Sequence, residues 1–286
     1  MVLIILWSSF YFLNLENKKH FYNPEIKKES KEAKKLESFF QNRDDYDSAF
    51  AQVKNSEKID NVVAGITSHH FLAKNLIAQF YSGISNNNIE NIILVGPDHY
   101  NALVNVDAIT TKLNWSTPYG EIGSSEELIE KILNDNDDVT IDDGVFKIEH
   151  SIYVEIPFIK KVFPQVKVIP LVLKNNYDYD EFIKIGENLN KLSKDKTLLI
   201  ISSDFSHDVS VEEARNNDEK SLAVLQNLRV ENINDINCDC RACLAVALGF
   251  MGEGKKFQLV ENKNSADFGS STETVTSYVS GYFLFN

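Results

Sequence analysis

The sequence predicts an α/β fold of three layers, a mainly parallel central sheet with helices on both faces. Two observations carry that expectation. From about residue 59 onward, short runs that are apolar on both faces recur, as in Val62-Val63-Ala64 and Ile92-Ile93-Leu94-Val95, and only strands covered on both sides read that way. Between them lie segments with the 3.6-residue periodicity of helices, which is the alternation that builds a parallel sheet. No repeat period and no long low-complexity tract interrupts the pattern.

In chain order, Asn61 to Ile66 reads as a buried strand. Phe71 to Ile84 is a helix with Leu72, Leu76, Ile77 and Phe80 on one face. Asn91 to Val95 repeats the strand signal, and Leu103 to Thr111 alternates enough to be another. Glu126 to Leu133 reads as a short helix, and Ser151 to Val162 as a helix interrupted by Pro157. Val166 to Leu173 and Thr197 to Ser202 are near-continuous apolar runs, hence strands. Asp180 to Leu192, Val211 to Leu228 and Arg241 to Met251 are helices, and Phe257 to Glu261 and Val275 to Phe283 close the chain as strands.

Three regions follow from this reading: an apolar N-terminal segment at 1–20, a charged tether or helix at 21–58, and an α/β domain at 59–286. Met1 to Leu13 is the most hydrophobic stretch, but it is short of the ~20 residues that cross a bilayer as a helix, and no basic residues precede it. It is expected to be a membrane anchor or a buried strand, with any membrane contact confined to residues 1–14. The chain is otherwise expected to be cytoplasmic.

With 29 Lys+Arg against 42 Asp+Glu the net charge is -13, which repels phosphate backbones, and beyond the mixed Lys/Glu run at residues 25–37 no basic patch offsets it. A nucleic-acid partner is therefore not expected. The three cysteines, Cys238, Cys240 and Cys243, are odd in number and clustered, which argues for a reduced or metal-associated site rather than a disulfide framework.

Three predicted strands run into histidines: His69 and His70 after the first, His99 in Gly96-Pro97-Asp98-His99, and His207 in Ser203-Asp204-Phe205-Ser206-His207. Parallel neighbours would bring these ends to one rim, where ligands of such sheets bind. Converging imidazoles are the donors of iron, copper and zinc sites. His150 opens a predicted helix and Asp204 precedes His207 by three residues, so both are candidates for orienting an imidazole or moving a proton. Nucleotide loops, a His-Glu-x-x-His pair and a Gly-x-Ser-x-Gly elbow are absent from the sequence.

Gly96-Pro97-Asp98-His99, Ser116-Thr117-Pro118-Tyr119-Gly120, Glu149-His150-Ser151-Ile152 with Glu155-Ile156-Pro157-Phe158, and Ser202-Ser203-Asp204-Phe205-Ser206-His207 resemble successive blocks of the Memo family, which includes AmmeMemoRadiSam system protein B. The resemblance implies a fold similar to class III extradiol, LigB-type dioxygenases and a mononuclear pocket binding iron or copper, with zinc less favoured. By motif it implies His69 and His99 as metal ligands and His207 as a third ligand or catalytic base, with Asp204 and His150 in proton transfer. The family's metal-site cysteine falls within Cys238-Asp239-Cys240, and Cys240 is taken as the ligand with all three residues open. His70 competes with His69, since neighbours in an extended segment face opposite ways. The implied activity is metal-dependent redox or oxygen chemistry on a small organic substrate. The alternative is a non-enzymatic metal- or peptide-binding module. The family name implies radical SAM and AMMECR-type partner proteins.

Overall fold

The strand signals of the sequence converge on one twisted sheet. In the computed structural model, which describes residues 34–285 apart from 54–56, 86–87, 176–177 and 194–195, its core is five parallel strands in the spatial order β6, β8, β3, β9, β2. These are β2 (Val62–Thr67), β3 (Asn91–Pro97), β6 (Gly120–Ser124), β8 (Lys167–Leu173) and β9 (Thr197–Ser202). β11 (Ser277–Leu284) adds antiparallel to β2, and β10 (Lys256–Asn264) adds antiparallel to β11. On the other flank β5 (Trp115–Thr117) forms a hairpin with β6 and pairs in parallel with β1 (Leu36–Glu37). β4 (Ala108–Thr110) pairs with β8 and carries β7 (Val139–Ile141).

Alternation along the central strands divides the core into two faces. Ile93, Val95, Leu199 and Ile201 pack on one side beneath α6 (Tyr179–Leu192), α7 (Val211–Leu225) and α8 (Arg241–Met251). Ile92, Leu94, Leu198 and Ile200 pack on the other beneath α2 (Lys74–Gly83) and α5 (Glu155–Val162). α8 is apolar almost all round because it is almost wholly buried. It lies so close to α6 that a Cβ on Gly186 would sit 2.1 Å from the Val246 carbonyl oxygen, and one on Gly249 2.1 Å from that of Ile183. Glycine is the only residue that fits at either point.

The remaining helices are α1 (Arg43–Ala51), α3 (Glu126–Asp135) and the short α4 (His150–Tyr153). The predicted helix over 151–162 is two helices, α4 and α5, joined at Val154. Pro157 falls in the first turn of α5, where its missing N–H removes no intrahelical bond. The strand expected over 103–111 shrinks to β4, because the Asp98 carboxylate caps the preceding loop by accepting from the backbone of Tyr100 and Leu103.

Residues 36–51, expected within the charged tether, are part of the domain, and Lys35–Asn286 forms one compact unit. Leu36 aligns with Trp115, and Tyr46 and Ala49 of α1 are buried, with the Tyr46 ring edge-on to Phe158 at 4.9 Å. The apolar segment 1–20 lies outside the described residues. No helix among the described residues is long and apolar enough to cross a membrane.

Candidate metal centre

Three parallel strands deliver their first post-strand residues to one rim: Ser68-His69-His70 after β2, Asp98-His99 after β3, and Ser203-Asp204 after β9. α4 begins at the same rim with His150, and the turn into α8 contributes Asp239. Ring centroids of His69, His99 and His150 lie 4.9, 5.0 and 4.1 Å apart pairwise. One nitrogen from each lies within 4.8 Å of the others, so the three could hold a metal ion.

The orientation of two of these rings is fixed by their other nitrogen. His99 Nδ1 donates to Glu149 Oε1 at 2.8 Å, while Glu149, fully buried, also accepts from the backbone N–H of His99 and Ser151. Ser202 Oγ spends its proton on the Ser151 carbonyl at 2.6 Å, so it accepts from His69 Nδ1 at 3.2 Å. Both rings therefore present Nε2 to the centre, the second-layer arrangement that sets the tautomer of metal-binding histidines.

Facing those nitrogens is Asp239. Its Oδ2 lies 3.2 Å from His69 Nε2 and 3.6 Å from His99 Nε2, buried and without a hydrogen bond of good geometry, while Oδ1 accepts from Ser203 Oγ at 2.7 Å. The Asp239 N–H donates to the Asp204 carbonyl at 3.0 Å, which joins the two segments. Asp204 stands behind His69, with Oδ2 3.8 Å from Nε2 and Oδ1 held by Ser68 Oγ at 2.6 Å. A buried carboxylate oxygen 3.2 and 3.6 Å from two imidazole nitrogens is a donor set that fits a cation in place of the imidazole protons.

Charge confirms the fit. Burial by itself lowers the pKa of His69, but Asp204 and Asp239 outweigh it and lift the ring to about 10. His99 is likewise lowered by burial and lifted to about 9 by Asp239 and Glu149. His150 goes the other way, down to about 4, through burial and the two imidazolium neighbours. Burial would raise Asp239, yet His69 and His99 hold its carboxyl far below the usual range. The carboxylates thus draw positive charge to this point, which a divalent cation would supply in place of two imidazole protons.

The other expected site residues fall around this set. His207 is exposed on the wall of the same cleft, with His70 and Thr276, and does not join the three converging histidines. His70 is turned away from the centre, its Nδ1 bonded to Tyr278 Oη at 2.6 Å, which resolves the choice between the adjacent histidines toward His69. Among residues 238–240 it is Asp239, not Cys240, that faces the histidines. Cys240 is buried against the core in a disulfide with Cys243, and Cys238 is a free thiol pushed up to about 12 by burial. Glu149 gave no separate signal in the sequence beyond its place in the Glu149-His150-Ser151 block.

The centre lies in a cleft of about 920 Å³. Its lining also includes Phe40, Phe71, Leu72, Tyr100 and Tyr153, with Phe40 stacked on Phe71 at 3.8 Å and Tyr100 and Tyr153 beside His150. Lys74 at the rim is paired with Asp45 at 2.6 Å.

Comparison with known proteins agrees with this architecture. Residues 70–282 match the family model described as Memo-like protein. A MEMO1 family protein of Nitrosopumilus maritimus is 24% identical over 237 residues, covering 79% of this chain and 85% of the relative. One of Aquifex aeolicus is 29% identical over 205 residues, covering 68% and 76%. Among solved structures, an uncharacterized protein from Escherichia coli K12 superimposes with a TM-score of 0.50 at 14% identity, over 76% of this chain and 99% of that one, a likeness of fold alone. The family match takes in His99, His150, Asp204 and Asp239, and the chain belongs to the Memo-like protein family.

Proposed function

We propose that the chain is a mononuclear metal protein in which His69, His99 and Asp239 hold the ion, His150 completes the set, and the cleft admits a small organic substrate for redox chemistry with dioxygen. The observation that carries this reading is the buried, unpartnered Asp239 Oδ2 set against two imidazoles whose tautomers are fixed. Two histidines and a carboxylate are the donor set of non-haem iron oxygenases, and with Cys240 tied to Cys243 the set offers no sulfur to favour copper(I). Iron is therefore the better match of the two metals. When bound, it supplies electron transfer to dioxygen and a Lewis acid for the substrate.

The chain's own contribution is to bind and position. Glu149 and Ser202 hold the rings, and the aromatic wall excludes water. Asp204 and His207, beside the centre and on the cleft wall, are placed to take or return a proton. Metal analysis of anaerobically purified protein tests the reading. Near-stoichiometric iron that is lost in His99→Ala is expected, and full retention in that variant would overturn it. A peptide-binding module is the second reading, favoured by the exposed Phe39, Leu72 and Tyr100 near the cleft mouth. Oxygen consumption by the iron-loaded protein separates the two: uptake supports the first, and an inert loaded protein the second.

A further inference from the structure

Cys240 immediately follows Asp239 and is the N-cap of α8, where its Sγ accepts from the Cys243 N–H at 3.2 Å and is bonded to the Cys243 sulfur. Two covalently joined residues thus close the first turn of the helix whose preceding residue faces the histidines. The clip sits in the core, with Cys240 2% and Cys243 0% exposed. Interiors are packed without spare room, and two separate thiols need more space than the bonded pair. Asp239 is held on its other side by its N–H to the Asp204 carbonyl, by Ser203 Oγ on its carboxylate and by the facing His69 and His99 rings.

We infer that Cys240 and Cys243 form a redox-exchangeable pair that positions Asp239, so that the oxidised chain binds the metal ion more tightly than the reduced chain, in which the carboxylate donor is displaced. The inference rests on the proposed function, in which Asp239 is a ligand. In the reducing direction a dithiol reductant breaks the sulfur–sulfur bond and closes to its own disulfide. Two electrons and two protons pass to the Cys240 and Cys243 sulfurs, and a disulfide oxidant reverses the exchange. The new thiols push the 239–240 backbone outward, because the helix and core on the other side do not yield. Linkage makes the effect reciprocal: whatever factor the disulfide adds to metal affinity, bound metal adds to the disulfide's resistance to reduction.

The test uses the full chain, oxidised or reduced with dithiothreitol and then desalted anaerobically, with cobalt(II) as the probe, titrated by its ligand-field absorption. Alkylation of the denatured protein is expected to find one thiol in the oxidised chain. The oxidised chain is expected to bind cobalt about tenfold or more tighter than the reduced chain, reversibly on reoxidation. The same factor read from the disulfide is about 30 mV in reduction midpoint between loaded and free protein. Cys243→Ser is expected to bind like the reduced chain and to ignore dithiothreitol, a response that a merely structural role would not abolish. Equal affinity in both redox states, or a redox response that survives in Cys243→Ser, would overturn the inference. If Cys243→Ser does not fold, the reversible comparison within the unsubstituted chain decides. Asp239→Asn separates the two claims. Undiminished cobalt binding there removes Asp239 from the metal site, whereas weakened binding together with no redox effect removes only the clip.

Discussion

Glu155 is fully buried in α5, with one carboxylate oxygen bonded to Tyr81 Oη at 2.7 Å and the other without a partner. Burial is the main cause that lifts its pKa to about 8, against an ordinary 4.5. A carboxyl raised in the folded state keeps its proton where the unfolded chain has lost it. The contribution of Glu155 to stability is therefore full below about pH 4.5 and is lost as the pH rises through about 8. Glu155→Gln keeps the neutral shape and should flatten that slope in urea unfolding measured across the interval; an unchanged slope would place the titration elsewhere. Glu149→Gln, which leaves His99 Nδ1 with a weaker and misdirected acceptor, is expected to reduce metal affinity by about 10- to 100-fold with the melting temperature little changed. Isothermal titration calorimetry reads it directly. At this scale His69 and His99 were legible because each follows a strand, and strand ends are where such sheets place chemistry, whereas His150 was read from the start of a helix. Asp239 was left open between two cysteines because it lies in an irregular turn, where no periodicity says which neighbour points inward.

At the scale of elements, α6 and α8 meet through Gly186 and Gly249, where any side chain would enter the other helix's backbone. Gly186→Ala should therefore cost more than the 1–3 kcal/mol typical of overpacking, because the obstacle is main chain. Thermal unfolding checks this, and a loss of under about 1 kcal/mol would mean the helices part easily. The long helices were legible from their period and four of the five core strands from their apolar runs, while β6, short and largely polar, was not read as a strand. β1, β5, β7 and α1 were not: they are short, and α1 carries charge on its outer face and buries only Tyr46 and Ala49, too few apolar positions to establish a stripe. The Ser116-Thr117-Pro118-Tyr119-Gly120 block, read as a family signature, also has a structural duty. It turns β5 into β6 and sends Tyr119 Oη to Asp47 of α1 at 2.7 Å.

For the whole molecule, the expected three-layer architecture is present, with the sheet extended on both flanks by short or antiparallel strands. The domain begins earlier than the composition implied, because the polar Lys/Glu character of residues 25–37 masks the apolar anchor Leu36 within it and Tyr46 and Ala49 after it. Deleting residues 1–52 should uncover Trp115, Phe71 and Phe158 and lower the unfolding midpoint by several degrees. A midpoint equal to that of the full chain would show that β1 and α1 merely decorate the domain.

His69, His99, His150 and Asp239 come from four distant stretches of chain, and His70 beside the first is braced by Tyr278 on β11, a strand from the far end of the sequence. The donors meet only when β2, β9 and β3 have paired and α4 and the turn before α8 are docked on them. A metal ion can therefore neither nucleate folding nor rescue an early intermediate; it selects the finished native state and adds stability by mass action alone. Chelation should leave the refolding rate untouched while accelerating unfolding, so that metal loading acts as a quality check on a completed fold.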